Sequence, residues 1–267
     1  MHFSILPILK NNCGMFSIKR LQAGLNTEFL GREIQYLDIT PSTNDDIWEC
    51  FQNQKPEGTI IIADHQLQGR GRRQSKWSST PGKSLTFSFL LLPEMLFEKL
   101  SILPLLTGVS IVKGIHNITN IQCGLKWPND IMMNQKKMGG ILIESQVGKQ
   151  GLGVVVGIGL NINESKDDIL EDLQDLATSL YIDSGEEFGR ELILSSILNE
   201  FENLYLLHWH DIIPLWQKYC IHENDQVTFH CNEKFHRGTF LGITEFGHAR
   251  IQVNGKTETF PAGVVEL

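Results

Sequence analysis

One segment of the sequence concentrates side chains that could bind an anion. Residues 69–77 read GRGRRQSKW and carry four cations within seven positions, although the whole chain has a net charge of −8. Arginine offers a fixed fork of donors that matches carboxylate or phosphate oxygens, and glycine lets a backbone approach a ligand closely. The segment, called the basic loop below, therefore indicates an anion-binding loop that Trp77 could help to cover. A solvated basic hairpin tip is the alternative that the segment alone leaves open.

Three later segments could supply the other groups of such a site. Residues 126–130, KWPND, suit the exit of a strand, because proline ends a strand and Asn and Asp favour turns. Lys137 precedes a glycine pair and an apolar run, which would hold its amine at the mouth of a core strand. Residues 157–161, GIGLN, would end a buried strand with two glycines and with Asn161, whose amide could pair with an adenine edge or with a phosphate-bound metal. An ordinary turn, a surface lysine and a bulged strand are the respective alternatives.

Composition excludes several classes of protein. The chain has 267 residues, of which 41% are hydrophobic and 20% charged, as in an ordinary globular protein. A pI near 5.6 argues against a protein that coats nucleic acid. The five cysteines are scattered and form no CxxC pair, so they predict neither a disulfide framework nor a zinc site. No apolar run approaches about 18 residues, the length that spans a bilayer, and no secretion signal is evident. We therefore expect a cytoplasmic protein without membrane contact.

Periodicity predicts the elements that would position these residues. Ser42 and Thr43 precede an acidic stretch, so capping of a helix is their plain interpretation. Residues 84–89 alternate strictly between polar and apolar types, which predicts a strand with one buried face. The other predicted strands cover 33–38, 59–63, 124–127, 140–145 and 153–158, and the predicted helices include positions 102–112, 194–205 and 212–216.

The character of the sequence changes after about residue 219. Short alternating runs separated by glycines predict a small β-barrel of about fifty residues. We therefore divide the chain into an N-terminal extension over 1–32, which lacks sustained periodicity and is expected to be disordered, a main domain over 33–219 and a small C-terminal barrel over 220–267.

Five motifs, in this order, resemble those of the biotin protein ligases. They are STN at 42–44, QxxGRGR at 66–72, KWPND at 126–130, KxGGIL at 137–142 and GxGxN at 157–161. The resemblance extends from about residue 36 to residue 267. It implies an α+β fold, in which a mixed-sheet catalytic domain of the biotin/lipoate ligase type is followed by a small SH3-like β-barrel.

The resemblance also implies a two-step reaction. Biotin's carboxylate attacks the α-phosphorus of MgATP to give biotinyl-5′-AMP and pyrophosphate, and a lysine of a biotin carboxyl carrier protein domain then takes the biotinyl group. The substrates and cofactors implied are biotin, ATP and Mg²⁺. The oligomeric state, monomer or homodimer, stays open.

Roles for individual residues follow from the matching positions. The resemblance assigns catalysis to Lys137 and Arg72 and, tentatively, a metal ligand to Asp130. The residues assigned to biotin are Ser42, Thr43, Gln66, Gly69, Arg70, Lys137 and Gly140. Those assigned to ATP and the adenylate are Arg70, Arg72, Lys76, Trp77, Asn129 and Asn161.

Two departures from the family pattern qualify these expectations. Gln74 stands where the family's loop commonly has glycine, so we expect a different turn in the basic loop. Residues 1–32 leave no room for the DNA-binding domain of bifunctional members, which predicts a ligase without repressor activity and without a nucleic-acid partner. A lipoate ligase or acyltransferase relative, and a non-catalytic biotin-binding paralogue, are the alternatives.

Overall fold

The computed structural model describes residues 15–93, 97–207, 209–231 and 234–266. The strands of the larger sheet are β1 (Ile34–Thr40), β2 (Ile60–Gln66), β3 (Leu85–Leu91), β4 (Gly124–Lys126), β5 (Asp130–Met133), β6 (Lys136–Gly148) and β7 (Gly151–Leu160). The helices are α1 (Ile18–Gly24), α2 (Thr43–Gln52), α3 (Leu103–Thr119), α4 (Leu180–Ser184), α5 (Arg190–Tyr205) and α6 (Ile212–Tyr219). The smaller sheet contains β8 (Gln226–Cys231), β9 (Lys234–Ile243), β10 (Ala249–Val253), β11 (Lys256–Phe260) and β12 (Val264–Glu266).

The larger sheet is mixed, and its strand order is β1-β2-β3-β7-β6-β5-β4. Only β1 and β2 pair in parallel, and α2 supplies the crossover between them. Every other neighbouring pair is antiparallel. The smaller sheet is antiparallel with the order β11-β10-β9-β8-β12. The predicted α+β class and the small C-terminal β domain are therefore confirmed, and the predicted boundary at 219/220 falls between α6 and β8.

The central strand β3 shows why two helical layers cover this sheet. Phe89 packs edge-on against Phe201 of α5, with 4.8 Å between ring centroids, so the odd positions face the large core under α3 and α5. Leu90 on the opposite face joins a second cluster with Ile47 and Phe51 of α2. All seven residues of β3 are buried. The prediction of one buried face was wrong here, because α2 covers part of the other face.

Helix α3 is the core helix of the molecule. Pro104 lies in its first turn, where proline is tolerated because its missing N–H would have no partner within the helix. The helix is buried on most sides rather than amphipathic. By length and composition, the helical stretch Leu100–Thr119 is apolar enough to cross a membrane, contrary to our expectation from the sequence, but 67% of its apolar window is buried inside the protein. That burial is typical of the central helix of a packed domain.

Part of the N-terminal extension is regular structure, which corrects the expectation for it. Residues 15–32 contain α1, whose N-cap Ser17 donates its backbone N–H to Glu191 of α5 at 2.8 Å. The buried carboxylate of Glu202, also on α5, accepts from the backbone N–H groups of residues 28, 29 and 30. These partners lie more than 170 positions away, so periodicity within the segment could not reveal them. Residues 1–14 of the predicted extension lie outside the described residues.

The smaller sheet, called the C-terminal sheet below, is fixed to the larger domain beside KWPND. Trp127 is 2% exposed, packs 6.0 Å from the ring of Phe229, and donates from Nε1 to the carbonyl of Gly247 at 3.0 Å. A buried indole N–H needs such a partner. The motif therefore joins the two sheets as well as forming a turn.

His222 lies buried at the same junction. It is 0% exposed, its ring centroid is 4.3 Å from that of Phe240, and its Nδ1 lies 3.5 Å from Cys220 Sγ. Burial, and then the nearby charge of Lys126, lower the pKa of His222 to about 4. A histidine protonates at about pH 6.5 in the unfolded chain, so the fold holds it neutral.

The pH dependence of stability should report this histidine. The stabilisation linked to neutral His222 is complete above about pH 6.5 and is lost as the pH falls toward 4, because only the unfolded chain gains the proton in that window. Between about pH 7 and pH 5 it amounts to about 2 kcal/mol. In denaturant titrations, we expect the free energy of unfolding to fall less between pH 7 and pH 5 for His222→Phe than for wild type. For His116→Gln, a change at an exposed histidine, it should fall as much as for wild type. Parallel curves for wild type and His222→Phe would contradict the assignment.

Candidate active site

A cleft of about 790 Å³ opens over the part of the sheet that α2 leaves uncovered. Its floor is formed where three strands pair, with Gly159 of β7 between Thr86 of β3 and Gly140 of β6. Two residues earlier on β7, Gly157 lies between Ser88 of β3 and Leu142 of β6. Alternate residues of a strand share a face, so Gly157 and Gly159 both face the cleft, and the lack of side chains there makes the cleft deeper.

The two glycines of β7 are required by what packs on them. A Cβ on Gly157 would lie 2.1 Å from Oδ1 of Asn44, and a Cβ on Gly159 would lie 2.4 Å from the indole ring of Trp77. Real Cβ atoms do not approach other atoms so closely. The pairing of β7 with both neighbours continues through these positions. Two side chains therefore pack closely on the glycines of GIGLN, and the bulged-strand alternative is wrong.

The basic loop closes on itself as a small hairpin over this floor. The backbone N–H of Trp77 donates to the carbonyl of Gly69 at 2.9 Å, and that of Gly71 donates to the carbonyl of Ser75 at 2.7 Å. Arg73 occupies the left-handed region at the tip, with φ of 53°. The turn that Gln74 was expected to alter is thus made by its neighbour, and the effect of Gln74 on closure stays a prediction.

Arg70 is held by carboxylates from two elements. Its guanidinium contacts both oxygens of Asp45 on α2, at 2.8 and 2.5 Å, and one oxygen of Glu144 on β6 at 3.5 Å. Glu144 also accepts from the side chains of Asn44 and Trp48. A two-point fork fixes both the place and the orientation of a guanidinium. The first arginine of the loop is thereby fixed beside the start of α2.

Arg72 reaches across the cleft to the C-terminal sheet. It donates to Oδ1 of Asn129 and to the carbonyl of Gly263, each at 3.2 Å. Arg73 donates to the carbonyl of His230 at 3.3 Å. Burial, and then the charge of Arg73, lower the pKa of Arg72. The loop is therefore seated on both sheets.

Lys137 projects into the cleft beside an acidic partner. Its Nζ lies 2.5 Å from Oδ1 of Asp130, and the other oxygen of that carboxylate lies 3.4 Å from Nζ of Lys126. Gly140 lies next to this amine, and a Cβ on it would be in ordinary contact with Nζ at 3.5 Å. The lysine is at the mouth of strand β6, as the sequence predicted.

Polar side chains fill the opposite end of the cleft. Thr43 donates its backbone N–H to Oε1 of Gln66 at 2.7 Å, and its hydroxyl lies 2.6 Å from the hydroxyl of Ser88. Ser42 is the N-cap of α2, but its side chain makes no capping hydrogen bond. The capping interpretation of its hydroxyl is therefore not supported, and Ser42, Thr43 and Gln66 are all buried against the cleft.

The cleft lining contains every predicted site residue except Gly69. Gly69 packs against Trp77, and a Cβ added to it would lie 2.6 Å from the carbonyl oxygen of Trp77. Sequence reasoning gave no role to several residues that also line it: Asn44 and Lys126, which stand inside two of the motifs, and Thr86, Glu164, Leu170, Leu173 and Leu176, which do not. The three leucines are 61%, 40% and 64% exposed and form an apolar wall near Asn161. Their spacing of three in an acidic segment was the available signal.

Three comparisons relate this chain to known proteins. The model of the Biotin/lipoate A/B protein ligase family matches residues 36–161. The bifunctional ligase/repressor BirA of Bacillus spizizenii is 36% identical over 259 residues, which cover 95% of this chain and 80% of that protein. The biotin--[acetyl-CoA-carboxylase] ligase of Mycobacterium tuberculosis is 29% identical over 189 residues, covering 68% of this chain and 67% of that protein.

A solved structure shares the architecture. The biotin protein ligase from Aquifex aeolicus, in complex with biotin and ATP, matches with a TM-score of 0.76 and 30% sequence identity, and the match covers 88% of this chain and 99% of that one. Identity at this level, over nearly the whole chain and with the cleft motifs inside the matched region, means that this chain belongs to the biotin/lipoate protein ligase family, as one of its biotin protein ligases.

Proposed function

We propose that the chain activates biotin with MgATP to biotinyl-5′-AMP and pyrophosphate, and then transfers biotin to a lysine of a biotin carboxyl carrier protein domain. The observation that carries this proposal is the arrangement along one cleft of a polar pocket, a group of cations and an apolar wall. Such an arrangement suits, in order, a polar ring, a carboxylate joined to a phosphate, and a nucleoside. A mixed anhydride of biotin and AMP has these parts in that order.

The polar pocket binds the ring of biotin in this proposal. A cyclic urea presents two N–H donors and one carbonyl acceptor, which require hydroxyl and amide partners when buried. Ser42, Thr43 and Gln66 offer these groups and are 3%, 2% and 8% exposed. Backbone around Gly69 closes the same end.

The cationic side chains of the cleft allow the carboxylate of biotin to approach a phosphate of ATP. Two like charges 4 Å apart repel by about 1 kcal/mol in water and by about 4 kcal/mol at an effective dielectric of 20. Lys137, Arg70 and Arg72 oppose that repulsion, and Lys76 adds charge at the rim. Lys137 contacts the reacting carboxylate and phosphate, and Asp130 fixes the direction of its amine. Catalysis is then mainly positioning and electrostatic stabilisation.

The nucleoside lies toward Asn129, Asn161 and the apolar wall. Asn161 donates its side-chain amide to the carbonyl of Thr178 at 2.9 Å, which fixes its orientation toward the cleft. Trp77 and the exposed Leu170 and Leu173 supply apolar surface for a purine ring. Covering the adenylate in this way excludes water, which would hydrolyse the anhydride.

The donor set fits a Mg²⁺ ion that arrives with ATP. Mg²⁺ usually takes one or two carboxylates together with substrate phosphates. No cluster of three acidic, histidine or cysteine side chains suited to a metal occurs among the described residues. Asp130, shared by two lysines at the phosphate end, would hold the ion. When bound, Mg²⁺ neutralises phosphate charge.

We infer that the enzyme is cytoplasmic and has no nucleic-acid partner, since a net charge of −8 does not favour binding to nucleic acid. Either a monomer or a homodimer is compatible with the proposal. The matched family also includes lipoate ligases by its description, so lipoate is the competing substrate. Biotin-dependent exchange between ATP and pyrophosphate tests the function, and preferential exchange with lipoate would favour the competitor.

Replacement of Lys137 tests its catalytic role. Lys137→Ala removes the cation from the reacting anions, so we expect biotin-dependent pyrophosphate exchange to fall by roughly 10²- to 10³-fold, with the fold retained because the side chain is 43% exposed. Lys55→Ala is the matched control, since Lys55 also pairs with a carboxylate, that of Glu33 at 2.8 Å, but far from the cleft. Near-normal exchange by folded Lys137→Ala would refute the role.

Replacement of Arg72 tests retention of the intermediate. Arg72→Gly removes the bonds to Asn129 and Gly263 that seat the loop, so biotinyl-5′-AMP should escape, and its concentration in a protein-free filtrate should rise relative to wild type. Arg72→Lys keeps the charge without the fork and should give an intermediate release. Equal release by all three proteins would contradict the assignment.

A further inference from the structure

Glu164 is a buried carboxyl group on the wall of the cleft that no motif includes. It is 3% exposed, yet it lines the cleft. One oxygen, Oε1, accepts from the hydroxyl of Ser84 at 2.5 Å. The other oxygen, Oε2, is fully buried and has no hydrogen-bond partner among the described residues. Leaving a buried polar atom without a hydrogen-bond partner is unfavourable, which makes it a site for a ligand or water.

The neighbouring hydrogen bonds determine which oxygen carries a proton when the group is neutral. The backbone N–H of Thr80 donates to Oγ of Ser84 at 2.7 Å, and among the described residues Oε1 of Glu164 is the acceptor within reach of the hydroxyl hydrogen of Ser84. Oε1 is therefore an acceptor, and the acid proton resides on Oε2. The unpartnered atom is then a hydrogen-bond donor.

The surroundings favour the neutral acid. Burial is the main cause that raises the pKa of Glu164 to about 7. The charged groups around it are paired with one another: Lys83 with Asp168 at 2.5 Å, and Arg190 with Asp64 at 2.9 Å. The carboxylate of Asp168 also raises the pKa of Glu164, which partly offsets the positive charge of Lys83 nearby. A carboxylic acid at this position persists into the neutral range.

The position of Glu164 assigns it to one end of the cleft. Ser84, Thr86 and Ser88 share one face of the β3 segment, because alternate strand residues point the same way. Ser88 contacts Thr43 in the polar pocket, whereas Ser84 contacts Glu164. Four residues of strand separate the two ends by roughly 13 Å. Glu164 is thus remote from the polar pocket and close in sequence to the apolar wall.

We propose that Glu164 is a nucleoside-binding residue, whose Oε2 hydroxyl donates a hydrogen bond to an acceptor on the nucleoside part of ATP, either a purine ring nitrogen or a ribose oxygen. The proposal rests on the function proposed above. It adds a residue outside the five motifs to the substrate contacts. It also predicts that ATP binds less well once the acid ionises, because a carboxylate cannot donate and repels the phosphates.

Two variants of Glu164 separate this role from a structural one. Glu164→Leu removes the donor, and we expect its KM for ATP in pyrophosphate exchange to rise roughly tenfold while its KM for biotin is unchanged. Glu164→Gln keeps the acceptor for Ser84 and offers an amide N–H in place of the acid proton. The ratio of the wild-type KM for ATP to that of Glu164→Gln should be near one at pH 6 and should rise up to pH 8.

The comparison isolates Glu164, because ionisation of ATP affects wild type and Glu164→Gln alike. A purely structural role predicts that both variants lower Tm and weaken calorimetric binding of biotin, which would overturn the proposal. Parallel pH profiles for wild type and Glu164→Gln would also overturn it, even if Glu164→Leu fails to fold. Absence of exchange in wild type would instead count against the enzymatic function itself.

Discussion

The absence of side chains on one face of β7 is the constraint on which the cleft depends. At Gly157 and Gly159 a single methyl group would overlap Asn44 or Trp77, so the start of α2 and the basic loop could not both reach the sheet. Glycine weakens a strand interior, and here the loss is offset by continuous pairing with β3 and β6 on either side. The polar pocket and the basic loop meet on one surface because β7 carries no side chains at these two positions between them.

Protein acceptors hold the cations that line this surface. Arg70 donates a hydrogen bond to Asp45, Arg72 donates one to Asn129, and Lys137 donates one to Asp130. Pairs that are partly exposed contribute little to stability, about 1 kcal/mol or less each. Their effect is geometric, since each fixes the direction of a long side chain that would otherwise sample many rotamers. Glu144 extends this order by joining Arg70 to two side chains of α2.

Much of the site could be predicted from the sequence, because short motifs combine a backbone requirement with a chemical group. The position of Lys137 at the mouth of a core strand follows from a glycine pair and an apolar run, whereas the mixed sheet was implied by the resemblance to biotin protein ligases and not by the periodicity of its strands. Glu164 could not be found in this way, since its partner Ser84 is 80 positions away and no local pattern connects them. The burial of both faces of β3 depends on α2, and the order of α1 depends on α5, so neither is encoded locally.

The contacts between the basic loop and the C-terminal sheet place little constraint on the side chains of that sheet. Arg72 and Arg73 donate to the main-chain carbonyls of Gly263 and His230, and Trp127 donates to that of Gly247. A carbonyl is present whatever the side chain, so such an interface tolerates sequence drift as long as the path of the backbone is preserved. Structural dependence between the two sheets would then persist where aligned sequences show little constraint, and exchanging this sheet between relatives would succeed or fail on backbone geometry rather than on residue identity.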